Sequence, residues 1–287
     1  MFNTSLNHFK SVFAHQFFVL PADRNYFLAR FTRINGIPEE FWWQSLQTIE
    51  KYLKAGLLLN GESVKQVNGH DIVSLWERHK AVFGSAAVGD FVKPSKLQSD
   101  YWTERTVDHF IRDVATKGHP DSRYGLVSRW ESRDDLFKLD QLVFELRRRT
   151  IGLDWIVGSD WNVEELVQFE GSTYRDLIAA EPENLIRKMT TPSGAMNAAG
   201  DDLTDLFHAW NFSFTRSPED LSRLTNRHVA PSVAVGNSYL YLLWEALEHE
   251  KLISPCVVER VRWLLDNIKL GKAVVKDFED RISHPSP

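Results

Sequence analysis

The chain has 287 residues, a formal net charge of −5, and a quarter of its residues charged. That length can bury one large core or two smaller ones, and the composition is that of an ordinary folded globular protein. The negative balance argues against a protein that coats nucleic acid with its whole surface, and leaves a local basic cleft as the form such binding would take.

The ten Trp and 18 Phe point to a thick core rather than a ligand cage. The single cysteine, Cys256, argues against an intrachain disulfide framework or a cysteine zinc site, and it suits a reducing compartment. No stretch approaches the roughly 18 apolar residues of a membrane span. The apolar run from Phe13 to Leu20 is interrupted by His15 and Gln16, with no small-residue cleavage site after it. A cytoplasmic protein with no membrane partner is expected.

Taken in order, residues 1–22 read as a lead-in helix or arm ending near Pro21. Asp23 to Asn35 reads as the first core helix, stopped by Asn35-Gly36. Pro38 then sits in the first turn of the next helix, where its missing N–H costs nothing. In that helix Trp42, Leu46, Ile49, Leu53 and Leu57 recur at steps of three and four and share one face. Gly56 within it costs up to about 1 kcal/mol against Ala, which suits a close approach by another helix. Asn60-Gly61 ends the segment.

Gly69-His70-Asp71 marks the start of a further helix, which buries Ile72, Leu75, Trp76, His79, Val82 and Phe83. Residues 84–99 are loop-like. Asp100 to Lys117 is expected to be helical, closed by Gly118-His119-Pro120. Asp134 to Arg149 is another helix, with Leu136, Leu139, Leu142, Val143 and Leu146 on one face. Its Arg147, Arg148 and Arg149 read as a solvated helix end favoured by the helix dipole, with RNA contact as the alternative.

Beyond Gly152 the pattern loosens. Val163 to Ala180 and Asp201 to Trp210 are shorter helical candidates, separated by a small-residue loop from Thr190 to Gly200. Ser238 to Lys251 and Val257 to Leu270 close the chain as helices. Strand signals are sparse, no period of 20 to 50 residues repeats, and the expected fold class is all-α. The expected division is residues 1–152 and a helical extension over residues 153–287, which can also pack as one globule.

The words EKYLKAGLLLNGE and then NGHDIVSLW, with the later RYG at Arg123 to Gly125 ahead of LFKLDQLVFELRR, resemble the HEPN superfamily of helical nucleotide-binding domains. The resemblance covers about residues 23–150. It implies an up-and-down helical bundle, often a homodimer. Members are metal-independent RNases of toxin–antitoxin and antiviral systems, or companions of nucleotidyltransferases.

The family's RNases carry an Arg followed by four to six residues and a His. Here Arg112-Asp113 with His119, and Arg223 with His228, have that spacing. The Arg would stabilise transition-state charge and the His would act as acid or base. About two such pairs are expected by chance in a chain of this composition, and two occur.

The residues themselves suggest a second site. Glu50, Lys51, Lys54, His70, Asp71, Arg123 and Tyr124 would make a nucleotide or RNA wall if they met. Lys51 and Lys54 share a helix face, His70 lies at a helix N-terminus, and Tyr124 is available to stack on a base. The competing assignment is structural: Glu50–Lys54 as a surface pair, and His70 and Asp71 as caps.

His79 reads as a packed core histidine. His249 with Glu245 lacks further ligands, and Asp201, Asp202 and Asp205 read as a helix N-terminal cluster rather than a cation site. No metal or cofactor is expected, since phosphate-loop, dinucleotide-glycine and nucleophile-elbow motifs are missing. The leading expectation is an HEPN-like protein that binds RNA or nucleotide, in a stress, toxin–antitoxin or antiviral setting. The alternative is a non-catalytic helical module that recruits a protein partner, such as a nucleotidyltransferase or antitoxin.

Overall fold

In the computed structural model the described residues are 5–65, 70–93, 99–119, 131–157, 169–180, 240–249, 254–268, 270 and 272–283. They are helical and connected by turns. The only paired extended residues among them are Ile156 and Thr173, which form one isolated antiparallel bridge. The all-α expectation holds.

The chain opens with α1 (Leu6–Ala14), whose first turn is capped by the Ser5 side chain accepting from the His8 N–H at 3.1 Å. A π-helical turn, His15–Val19, leads into α2 (Leu20–Ile34). The lead-in segment is therefore not an arm ending at Pro21. Phe9 and Phe13 are buried in the main core, and Pro21 lies inside a continuous helical path, just after the π-helical turn in which the Leu20 N–H reaches the His15 carbonyl, a widening that accommodates a residue without an N–H.

Helix α3 (Pro38–Leu59) is the axis of the molecule. Phe41, Trp42, Leu46, Ile49, Leu53 and Leu57 are buried, and so are Ser45, Thr48, Tyr52, Ala55, Leu58 and Leu59, so the helix is covered on almost every side. The residues of its length that stay open beyond the first turn are Trp43, Gln44, Gln47, Lys51 and Lys54. Steps of four and three put them on one stripe. Gly56 marks a close approach: a Cβ there would stand 3.3 Å from the Arg149 carbonyl and 3.3 Å from the Phe83 ring.

Against α3 pack α4 (Ile72–Phe83), α5 (Val107–Lys117) and α6 (Asp135–Arg147). Helix α5 starts seven residues later than the sequence pattern suggests. The preceding segment is held by tertiary contacts instead: the Thr103 N–H donates to Asp134 at 2.6 Å, and Thr106 caps the helix through the His109 N–H at 3.2 Å. Beyond α6, a turn closed by Gly171 at φ +83° leads to α7 (Tyr174–Ala180), so the stretch just before α7 is a turn and not the helix expected from Val163.

Three more described helices follow, α8 (Leu240–His249), α9 (Pro255–Asn267) and α10 (Lys272–Ser283). The last was not anticipated, although Val275, Phe278 and Ile282 fall at helical spacing and meet the core. Trp263 of α9 packs edge-on to Phe9 and Phe13 of α1, at 6.1 and 5.7 Å between ring centres. The carbonyls at the end of α9 are satisfied by the turn after α3: Val64 N–H reaches Asn267, Ser63 reaches Asp266, and Lys65 Nζ reaches Leu265 at 2.6 Å.

A polar spine runs through the interior between α2, α3 and α6. Asp23, Tyr26 and Arg30 recur on one face of α2 and meet Asp140 and Arg147, seven residues apart on α6. Arg147 grips Asp23 with two hydrogen bonds, of 2.8 and 3.1 Å, and Tyr52 of α3 donates to the same carboxylate. One turn further along, Tyr26 donates to Asp140 at 2.6 Å and Arg30 pairs with the same oxygen.

The arginines ending α6 are thus not a solvated helix end. Arg147, Arg148 and Arg149 are at most 8% exposed. Arg148 pairs with Glu145, and Arg149 binds the Ala86 and Ala87 carbonyls as well as Glu145. A guanidinium goes inside when its donors find carboxylates and carbonyls there, and the dipole argument considers neither.

Candidate functional site: the open stripe of the central helix

Four residues of the wall expected from the sequence meet on the half-buried polar stripe of α3. Glu50, one step to its side, is only 6% exposed, and its two carboxylate oxygens are shared between two bases. Lys54 Nζ binds Oε1 at 2.6 Å, and His70 Nδ1 lies 2.6 Å from Oε2. The turn before α4 delivers His70 across the stripe, where its ring stands edge-on to Trp43 with 5.3 Å between centres.

Lys51 occupies the next position and pairs with no carboxylate among the described residues. Its ammonium donates to the Gln47 carbonyl at 3.3 Å and to Gln47 Oε1 at 2.7 Å. The amide nitrogen of Gln47 in turn lies 3.2 Å from His70 Nδ1. That ring nitrogen cannot donate to Glu50 and accept from Gln47 at once. The shorter contact is to a charged acceptor and is the stronger, which assigns a proton to Nδ1 as donor to Glu50.

Burial lowers the Lys51 pKa from its ordinary range to about 8; Glu50 opposes the shift and Lys54 adds to it. The stripe therefore carries three basic side chains around one carboxylate, one of them an amine whose charge is easily lost.

The remaining sequence-level residues divide as follows. Asp71 is the N-cap of α4, and its Oδ1 accepts from the Ser74 N–H at 2.9 Å, so its carboxylate is turned to its own helix. Arg123 and Tyr124 lie outside the described residues, as do Arg223, His228 and the acidic cluster Asp201, Asp202 and Asp205. Arg112 is on the exposed face of α5, and His119 is exposed two residues past its end. The carboxylate between them in sequence, Asp113, is engaged by Arg105 at 2.7 Å and lies 3.5 Å from His109.

Two contributors were not foreseen. Gln47 and Trp43 stand four and eight residues before Lys51, and the i, i+4 rule applied to the polar face would have found both. His79 is a core residue as expected, 1% exposed and sandwiched between Trp76 and Phe83 at 5.3 and 4.0 Å.

A separate groove, lined by Leu6, Val258, Arg262 and Trp263, lies on the α1–α9 side and contains no residue of the stripe. Among the described residues no three His, Cys, Asp or Glu side chains gather as metal ligands would, and no helix is long and apolar enough to cross a membrane. Comparison with known proteins finds no matching family model, no matching curated protein and no matching solved structure.

Proposed function

We propose that the protein is an HEPN-like binder of RNA or nucleotide, and that the open stripe of α3 with His70 is its anion-binding wall. The observation that supports this reading is the convergence of Lys51, Lys54 and His70 around the single carboxylate of Glu50. A phosphate placed there would supply a counter-charge to Lys51, which pairs with no carboxylate among the described residues. It would also raise the Lys51 pKa, because an adjacent anion favours the ammonium. Trp43, edge-on to His70, provides an aromatic surface next to the cations, the pairing that single-stranded nucleic acid and nucleotides use.

Fluorescence anisotropy with a short labelled RNA and with labelled ATP tests the reading. Binding is expected to weaken as salt rises and to fall at least about tenfold, roughly 1.4 kcal/mol, in Lys51→Ala. Equal binding by wild type and Lys51→Ala would discard the wall.

The protein-recruiting reading has its own observation. Leu28 and Phe31 are 42% and 40% exposed on one face of α2, and Ile37 beyond its end is 42% exposed. Such a group of apolar side chains suits a partner chain or a second copy. Phe31→Glu would shift the sedimentation of a homodimer to that of a monomer, and would leave a monomer unchanged.

A further inference from the structure

We propose that Lys51 is a nucleophilic amine that forms an imine with small aldehydes, above all those carrying a phosphate or carboxylate. This chemistry goes beyond nucleic-acid binding and stands whether or not RNA or nucleotide occupies the stripe.

The geometry supplies the parts. Gln47 holds Lys51 Nζ through two acceptors on the same residue, its carbonyl at 3.3 Å and its Oε1 at 2.7 Å. In the neutral amine those two contacts occupy both N–H bonds, and the lone pair is left on the side away from them. The carboxylate that would otherwise fix the ammonium, Glu50, is already engaged by Lys54 and His70. A half-buried amine beside a second cation is the setting in which lysine loses its proton most readily. With a pKa of about 8, its neutral fraction at pH 7.4 is roughly two hundred times that of an ordinary lysine.

Next to the amine stands an acid–base group. Glu50 holds His70 through Nδ1, the nitrogen that also lies 3.2 Å from the Gln47 amide gripping Lys51, so the imidazole stands one glutamine side chain away from the amine and Nε2 is the ring nitrogen not engaged by Glu50. Lys54 is the cation available to an anionic substituent on the incoming molecule.

The reaction balances without an oxidant or reductant. The Lys51 lone pair attacks the carbonyl carbon, the C–N bond forms, and the C=O π pair moves to oxygen. The oxygen takes a proton as the nitrogen loses one, with His70 Nε2 as the relay. The hydroxyl then leaves as water on receiving a second proton through the relay, while the nitrogen lone pair closes the C=N bond and the iminium nitrogen gives its remaining proton back to the relay. An aldehyde and an amine give an imine and one water.

The test uses the full chain and pyridoxal 5′-phosphate as the probe aldehyde, below one equivalent at pH 8. Borohydride reduction and peptide mass spectrometry then locate the adduct. The adduct is expected at Lys51, at least about tenfold over the exposed Lys65 and Lys276, with a rate that climbs from pH 7 to 9. Lys51→Arg, which keeps the charge and cannot form an imine, is expected to lose that adduct while its circular dichroism stays unchanged. Lys54→Met is expected to slow capture of the phosphorylated aldehyde more than that of pyridoxal. An adduct spread evenly over exposed lysines, or single-site capture that persists in Lys51→Arg, would overturn the proposal.

Discussion

Two of the clusters of charged side chains among the described residues, the interior spine and the stripe of the central helix, differ in how their charges are closed. In the spine, Asp23 receives Tyr52 and both arms of Arg147, and Asp140 receives Tyr26 and Arg30. Each carboxylate there meets one guanidinium, away from solvent. On the stripe, among the described residues, three basic side chains surround one carboxylate, and the hydrogen bonds of Lys51 go to the neutral oxygens of Gln47. The charges of the spine balance without a ligand, whereas among the described residues the stripe has an excess of positive charge that an anion would balance. What separates a structural cluster from a binding one here is therefore the count of opposite charges within hydrogen-bond reach, more than burial alone.

The largest effect expected is in the spine. Asp23→Ala leaves the Arg147 guanidinium buried and unpaired, at a cost of about 3–5 kcal/mol, readable by urea denaturation. Adding Arg147→Met to it should recover much of that loss, because a buried hydrophobe needs no partner. A double variant no more stable than the single one would show that the pair itself, rather than its completeness, holds α2 to α6.

The second effect comes from the core. Burial, with the Arg149 guanidinium adding to it, lowers the His79 pKa to about 3. In the unfolded chain an imidazole takes its proton near pH 6.5. Between those values the unfolded state binds more protons, so stability is complete above about pH 6.5 and declines as the pH falls toward 3, by a few kcal/mol in all. Acid titration of the urea midpoint should show this decline, and His79→Phe should flatten part of it. An unchanged acid profile in that variant would assign the decline to other groups.

On the stripe, by contrast, substitutions should matter little for folding. Lys51→Ala and Lys54→Ala are expected to move the unfolding midpoint by less than about 1 kcal/mol while weakening anion binding. A large loss of stability in either variant would make the stripe a second spine. The smallest expected effect is at the Arg112–His119 pair. His119→Ala is expected to leave RNA cleavage, if any is measured, at the wild-type level, and a loss of cleavage would move the chemistry from α3 to the end of α5.

The helices were legible where apolar residues recur at steps of three and four, as in α3, α4 and α6, because that periodicity reports the buried face directly. Gly56 was legible for the same reason, as a gap in a packed face. The start of α5 was not, since the bonds that keep residues 102–106 out of the helix reach to Asp134, some thirty residues away. Nor was the burial of Arg147 to Arg149, which depends on Asp23, Ala86 and Ala87 arriving from other parts of the chain.

For the site, the sequence pattern put Lys51 and Lys54 on one face, and His70 at the head of the next helix, but it did not show that Glu50 would lie between them. It offered Glu50 as a member of the wall and, in the competing assignment, as one half of a surface pair with Lys54. The pair exists, yet its carboxylate is buried and also holds His70. Gln47 passed unnoticed because a lone glutamine carries no charge signal, although its position fixes both Lys51 and the approach to His70.

The most direct test of the anion-binding wall is calorimetric titration of ATP into wild type and Lys51→Met at pH 7 and pH 9. An ammonium with a pKa of about 8 is charged at the first pH and mostly neutral at the second. Wild-type affinity is therefore expected to fall several-fold between the two, with proton uptake on binding near pH 8, while Lys51→Met binds weakly and alike at both. Wild-type binding that ignores this pH change, or that Lys51→Met reproduces, would contradict the account.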